Sequence, residues 1–181
     1  HDTTKDLYTH AFVLFAAAHW LAVSDDPRAA ALMHDAHDVI TRRFARAGAQ
    51  PLPVAAMDGT FSTTLAGVAQ NPVMHLTEAY LAAAALDEPP AWAEAGVRTL
   101  AEGILARFID TRTGSITELP VDEASTDNRI EPGHQFEWFY LVRGHAAVFT
   151  RSEAGRRLAE TLARAVDAAC ADGVDAETQG V

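Results

Sequence analysis

Six stretches with apolar residues at helical spacing fall into three pairs, and this arrangement constrains the fold more than any other feature. The pairs are predicted at about 4–47, 71–109 and 132–172, each with a short turn inside it and with long loops, 49–70 and 110–130, between pairs. We therefore predict an all-α fold, a single domain over 1–181, in which helical hairpins build an α/α solenoid or toroid. The first helix of each pair should line the inside.

The predicted helix starts carry recognisable capping residues. Asp26 and Asn71 each precede a proline, so both are predicted N-caps. A short hairpin is predicted around Asp58-Gly59 in the first long loop. The individual helices are predicted at 4–23, 27–47, 71–86, 91–109, 132–149 and 152–171.

Two helix openings carry a histidine and a glutamate three residues apart. They are His134 with Glu137 in EPGHQFEW and His75 with Glu78 in QNPVMHLTEAY. Residues three apart on a helix share one face. A histidine titrating near neutral pH beside a carboxylate that orients it is an acid/base unit. We therefore predict catalytic roles at the inner-helix openings.

Aromatic residues accompany the second of these openings. Trp138, with Phe136 and Tyr140 near it, is predicted to wall a sugar-sized pocket, since aromatic faces often line such pockets. Tyr8 and His10 are the corresponding polar residues on the first helix.

Structural alternatives stand beside each of these interpretations. His134 and Glu137 could be a pair that suits the helix dipole, and the aromatic residues could belong to the core. Asn71 could serve only as a cap, and Tyr8 and His10 could be partly buried helix residues. The remaining histidines (His19, His34, His37 and His145) are interpreted as structural or exposed, and the acidic stretch 118–127 as a solvated loop.

We expect no metal and no cofactor. Di-iron bundles use Glu-x-x-His on two helices plus glutamates on two others. Here the order is His-x-x-Glu, and no third helix offers a facing glutamate in an apolar setting. The sequence also lacks a phosphate loop, a nucleotide fingerprint and a serine-nucleophile elbow.

Composition and net charge limit the classes of partner that this chain can bind. The 181 residues are 49% hydrophobic and carry a net charge of −11, which argues against nucleic acid or an anionic membrane as partner. No apolar run is long enough to span a bilayer, and no signal peptide is evident. A single cysteine, Cys170, predicts a reducing, cytoplasmic setting and is expected to pack inside the last helix. Because the chain opens with His1, we expect a piece of a longer polypeptide.

Three segments together resemble the N-acylglucosamine 2-epimerase superfamily: KDLYTHAFVLFAAA, QNPVMHLTEAYLA and EPGHQFEWFYLV. The resemblance implies an (α/α)6 barrel, of which this chain supplies about three hairpins, and cofactor-free proton transfer at a sugar's C1 and C2. It implies that His134 is a general acid/base at C2 and that Glu137 supports it. It implies that Asn71 and His75 bind the sugar and help open its ring, with Tyr8 in the same pocket. In that family an upstream segment usually contributes a sugar-binding arginine and a downstream segment bears a second catalytic histidine. Because this chain resembles the middle of the barrel, we expect both segments to belong to the longer polypeptide.

The predicted function is a sugar isomerase or epimerase, with mannose–fructose type isomerisation ahead of 2-epimerisation. The predicted catalytic residues are His134, Glu137 and His75, and the predicted substrate-binding residues are Asn71, Tyr8, Glu78 and Trp138. A glycoside hydrolase on the same toroid is the first alternative, and it would need two opposed carboxylates. A non-catalytic sugar-binding fragment is the second. The preferred sugar, its phosphorylation and a homodimer stay open.

Overall fold

The fold is taken from a computed structural model that describes residues 2–45, 52–123 and 128–173. The chain forms two compact units, 1–100 and 101–181. The first unit contains β1 (Lys5–Asp6), α1 (Leu7–Ala22), α2 (Pro27–Arg43), β2 (Ala56–Met57), β3 (Thr64–Ala66), α3 (Gln70–Ala84) and the start of α4 (Ala91–Arg107). The second contains the end of α4, α5 (Pro132–Gly144), α6 (Ala146–Phe149) and α7 (Glu153–Gly173). The predicted alternation of helix, short turn, helix and long loop is confirmed.

The two helices of a hairpin differ in how much of their surface they bury. In the first unit α3 buries ten of its 15 residues, whereas α2 buries four of 17. The buried stripes of the second helices have spacings of four, three and four residues, as an amphipathic helix requires. These stripes are Ala29, Met33, Ala36 and Ile40 in α2, and Leu158, Leu162, Ala165 and Ala169 in α7. Helices α2 and α7 are therefore amphipathic, each with one buried apolar stripe.

Helix α1 begins three residues later than predicted. Asp6 is its N-cap, and Oδ1 of Asp6 accepts the N–H of Thr9 at 2.9 Å. The two residues before α1 instead form β1, which pairs antiparallel with β2. An N-cap residue has extended backbone, so it can end a strand and start a helix at once. Asp26 caps α2 as predicted, with Pro27 as its first residue; the predicted end at 47 lies outside the described residues.

The predicted N-cap of α3 is wrong. The helix begins at Gln70, and the extended residue before it is Ala69, which has no side chain able to cap. Asn71 therefore lies within the first helical turn. Pro72 is tolerated at the third helical position because the first four N–H groups of a helix have no partner inside it. The side chain of Asn71 therefore does not cap α3.

The predicted hairpin is confirmed. β2 pairs antiparallel with β3, in the sheet order β1-β2-β3. Asp58 organises the turn: its carboxylate accepts the N–H groups of Ser62 and Thr63 and the hydroxyls of Thr60 and Ser62. These hydrogen bonds, led by the one from the Ser62 side chain, lower the pKa of Asp58 to about 2. The turn therefore keeps an ionised carboxylate at its centre.

Gly96 allows α4 to approach Tyr80 of α3. A Cβ at this position would overlap the Tyr80 ring. Replacing a helix-interior glycine with alanine usually stabilises by about 0.5–1 kcal/mol. We expect Gly96→Ala to destabilise the protein by about 1–3 kcal/mol instead, because overpacking displaces the buried ring.

Urea titration of Gly96→Ala measures this loss. Gly144→Ala is the matched control, because a Cβ at Gly144 meets no atom within 4 Å. A Gly96→Ala protein that is as stable as the parent chain, or more stable, would contradict the close packing of Tyr80.

The fifth predicted helix is interrupted. It was expected to run from Pro132 to Phe149, but α5 ends at Gly144 and the short α6 follows after His145. The backbone of His145 leaves the helical region (φ −118°, ψ 33°), and its Nδ1 lies 3.0 Å from the carbonyl of Leu141. The carbonyl of Leu141 thus lies within hydrogen-bond distance of both the backbone N–H of His145, at 3.1 Å, and its imidazole at the end of α5.

Helix α7 presents Cys170 to solvent. The expectation that this cysteine packs inside is therefore wrong, since the buried stripe passes through its neighbour Ala169. Throughout the described parts of the chain, every helix is too short or too polar to cross a membrane.

Candidate active site

The His75 cluster consists of Tyr8, Asn71, His75 and Glu78. Nδ1 of His75 lies 3.1 Å from Oε2 of Glu78, the contact expected from their spacing. The imidazole and the Tyr8 ring of α1 are nearly perpendicular, with 4.8 Å between their centroids, and the centroid of the Phe12 ring lies 5.0 Å from that of the imidazole. The His75 side chain is 12% exposed, while Tyr8 remains open to solvent. The cluster is therefore a partly open wall of polar and aromatic groups.

Asn71 adds an unpaired acceptor to this cluster. It lies four residues before His75, so both occupy one face of α3. Among the described residues, no hydrogen-bond donor reaches its buried Oδ1. Buried polar atoms nearly always have a partner, and leaving one unpaired costs about 1–3 kcal/mol. Such an atom beside a partly exposed histidine is suited to accept a hydrogen bond from a ligand.

The second cluster is the His134–Glu118 pair. α5 places His134 in its first turn, where Nδ1 lies 2.7 Å from Oε1 of Glu118. The side chains are 22% and 16% exposed. An ionised carboxylate only accepts hydrogen bonds, so Nδ1 carries the hydrogen of this contact. The pair is a carboxylate-bound imidazole with limited access to water.

Glu137 was predicted to be the carboxylate that supports His134. It lies partly buried, three residues further along α5. The hydrogen bond at Nδ1 is made by Glu118 instead. A role for Glu137 toward the same histidine or toward substrate stays a prediction.

The interpretation of 118–127 as a solvated acidic loop is wrong for Glu118. Asp122 and Glu123 also have partners: their carboxylates lie 3.0 and 2.7 Å from the guanidinium of Arg107, whose side chain is only 5% exposed. Residues 124–127 lie outside the described part of the chain. Sequence reasoning missed Glu118 because it lies 16 residues before its partner, a separation that no helical or strand spacing sets. Its only sequence signal was the alternation of residues around Ile116.

The aromatic residues near His134 do not share one environment. Trp138 is completely buried, so its ring packs among core residues. Its contact with a substrate stays a prediction. Tyr140, in contrast, is 74% exposed. Phe149, which ends the short helix α6, is also buried.

The other histidines have partners that the sequence did not indicate. His37 stacks on Trp92 with 4.1 Å between ring centroids, and the indole N–H of Trp92 donates to Nδ1 of His34 at 3.4 Å. Burial lowers the pKa of His37. His37 also borders a mainly apolar cavity of about 220 Å³ in the first unit. His10 is bonded through Nδ1 to the carbonyl of Asp6. The contacts of His10, His34 and His37 favour structural roles for these three histidines.

Among the residues that the structure describes, no group of three or more His, Cys, Asp or Glu side chains is arranged to hold a metal ion.

Comparison with known proteins gives concordant results. The model of the N-acylglucosamine 2-epimerase (GlcNAc 2-epimerase) family matches residues 1–181. A mannose-6-phosphate isomerase of Rhizobium meliloti (strain 1021) is 31% identical over 172 residues, which cover 88% of this chain and 42% of that protein.

Solved structures are similar in fold. A D-mannose isomerase aligns with 99% of this chain and 46% of its own, with a TM-score of 0.81 and 20% identity. A cellobiose 2-epimerase from Bacillus thermoamylovorans B4167 aligns with 97% and 47%, with a TM-score of 0.80 and 14% identity. This likeness confirms the predicted fold class, helical hairpins of an (α/α)6 toroid. The chain spans about half the length of these proteins.

Proposed function

We propose that the complete protein is a sugar isomerase or epimerase that needs no cofactor, because this chain belongs to the N-acylglucosamine 2-epimerase family. The proposed reaction interconverts an aldose and a ketose, of the mannose–fructose type, or two C2 epimers. Its similarity to a mannose-6-phosphate isomerase, a D-mannose isomerase and a cellobiose 2-epimerase supports this class of reaction. A cytoplasmic location is also proposed, since an exposed lone thiol such as Cys170 suits a reducing compartment.

The observation that carries the proposal is the same in both clusters: a mostly buried imidazole has a glutamate carboxylate at Nδ1. The two distances are 3.1 Å for His75 and 2.7 Å for His134. A carboxylate at Nδ1 orients the ring for proton transfer. In both clusters the glutamate serves a histidine, which favours imidazole acid/base chemistry over a hydrolase built on two carboxylates.

The proposed mechanism removes the C2 proton of the open-chain sugar and forms an enediolate. His134 is the proposed base at C2, and returning the proton to C1 gives the ketose. Returning it to the other face of C2 gives the epimer. His75 and Asn71 are proposed to bind the sugar and assist ring opening, with Tyr8 and Glu78 beside them. Hydrogen-bond donors to the enediolate oxygens lower the barrier further.

Incubation of the complete protein with mannose in deuterated water tests the proposal, with mannose 6-phosphate as a second substrate. Deuterium at C1 of a ketose or at C2 of an aldose, read by proton NMR, is the expected result. Cleavage of a glycan without exchange would replace the proposal with the hydrolase alternative. Sugar binding with neither reaction would leave only a binding module.

Asn71 provides a test of substrate binding that is separate from catalysis. We expect Asn71→Leu to raise KM about 2- to 12-fold, since one hydrogen bond is worth about 0.5–1.5 kcal/mol. Stability should stay equal or rise, because an unpaired buried oxygen is replaced by apolar atoms of similar size.

Steady-state kinetics and thermal melting measure the two effects. Thr77→Val is the matched control: it also removes a buried polar atom from α3, one that is hydrogen-bonded to the carbonyl of Val73, and should leave KM unchanged. A large stability loss in Asn71→Leu with unaltered KM would mean that Asn71 has only a structural role.

A further inference from the structure

We propose that Glu118 is a positioning residue that holds His134 in one tautomer, with the hydrogen on Nδ1, so that Nε2 is the nitrogen that exchanges protons with the sugar. This inference rests on the proposed function for its catalytic consequence. Its structural part, a single tautomer held by one carboxylate, can be tested without any reaction.

The hydrogen bond between His134 and Glu118 is short and shielded from water. At 2.7 Å the Nδ1–Oε1 distance is at the short end for an N–H donor, as expected for a hydrogen bond to a charged acceptor. Both side chains are mostly shielded from water. In the neutral imidazole only one nitrogen carries a hydrogen, so its position on Nδ1 leaves the lone pair on Nε2. An acid/base at C2 must then act through Nε2.

Helix α5 is also hydrogen-bonded to the segment that carries Glu118. Gln135, the residue next to His134, is completely buried and forms two hydrogen bonds to the backbone of Ile116. Its Oε1 accepts the Ile116 N–H at 2.8 Å, and its Nε2 donates to the Ile116 carbonyl at 2.8 Å. The distance between α5 and this segment is therefore set two residues away from the carboxylate.

The residues on either side of Glu118 are held as well. The N–H of Glu118 donates to the carbonyl of Arg129 at 3.1 Å. The Asn128 side chain bonds both the N–H and the carbonyl of Leu119, at 2.9 and 2.8 Å. The hydroxyl of Thr117 lies 3.1 Å from the carbonyl of Phe108 and 2.7 Å from that of Leu119. Every residue from Ile116 to Leu119 thus has a backbone hydrogen bond to another part of the unit.

Together these hydrogen bonds hold the backbone that carries Glu118 in a fixed position, as a residue that orients a catalytic group requires. A functional side chain must be held to within about 0.5 Å, by neighbours that are themselves hydrogen-bonded. The acceptor of the His134 ring meets this condition, because its backbone is bonded on both sides. Replacing a carboxylate that orients a catalytic histidine with an amide costs about 10⁴-fold in kcat in serine proteases, where the amide selects the wrong tautomer.

The test compares Glu118→Gln and Glu118→Asp in the complete protein. Long-range ¹H–¹⁵N NMR of the imidazoles reports the tautomer of His134, and steady-state kinetics with mannose reports kcat and KM. In the parent protein we expect the Nδ1–H form to dominate. Glu118→Gln should give a mixed or Nε2–H population and lower kcat by about 10²- to 10⁴-fold, with KM within about threefold. Glu118→Asp keeps the charge and should recover part of kcat.

Glu123→Gln is the control, because it alters a carboxylate of the same segment that pairs with Arg107. It should leave the His134 signals unchanged. An unaltered tautomer in Glu118→Gln, or a change in KM alone, would overturn the inference. If the parent protein catalyses no exchange, the proposed function fails, while the NMR comparison still decides the role of Glu118. Circular dichroism, with Glu118→Asp as the milder variant, separates misfolding from either result.

Discussion

His134→Asn should slow deuterium exchange on mannose by about 10³-fold, since general acid/base catalysis by one side chain contributes about 10²- to 10⁴-fold. Asparagine fits the space of the imidazole but has no lone pair able to take a proton near neutral pH. The helical circular dichroism should not change, because His134 lies in the first turn of α5 and is partly exposed. The rate of deuterium exchange is measured by proton NMR with mannose as the substrate.

His145→Asn is the matched control for this variant. His145 follows the other end of α5, and its Nδ1 contacts the Leu141 carbonyl, not a carboxylate. Its replacement should alter exchange by less than about threefold, in keeping with a structural role. If His134→Asn retains the exchange rate of the parent protein, His134 is not the base, and another group must remove the C2 proton.

Much of the fold could be predicted because helical periodicity is a local property. The stripes of α2 and α7 repeat at three and four residues, so the sequence alone identifies which helices are amphipathic. The His75–Glu78 contact was predictable for the same reason, since three residues along a helix bring two side chains to one face. These predictions needed no knowledge of how distant segments meet.

The features that were missed depend on tertiary contacts or on competing local signals. Glu118 reaches His134 from a loop, and its position depends on Gln135, Asn128 and Arg129 together. The break after Gly144 was missed because a single glycine in a helix-forming run is usually tolerated. Asn71 was predicted as a cap from the proline that follows it, but the helix begins one residue earlier. Of these three features, Glu118 is the one whose position depends on contacts with distant residues.

Trp138→Ala should lower the free energy of unfolding by about 3–5 kcal/mol, the usual cost of removing a buried large aromatic side chain. Trp138 is completely buried, and it belongs to the same helix as His134. The loss combines the transfer free energy of the ring with the cavity that it leaves. Trp138→Phe should cost less, about 1–2 kcal/mol, because the smaller ring leaves a smaller cavity. Urea titration followed by circular dichroism measures both variants.

The same variants decide between the two interpretations of this tryptophan. A core residue acts on stability, so Trp138→Phe should leave KM for mannose within about twofold once the protein is folded. A pocket wall acts on binding, and losing a stacked aromatic contact would cost about 0.5–1.5 kcal/mol of affinity with little effect on unfolding. Tyr140→Ala is the exposed aromatic control on α5 and should change stability by less than about 0.5 kcal/mol. A stable Trp138→Phe protein with a raised KM would show that Trp138 contributes to substrate binding.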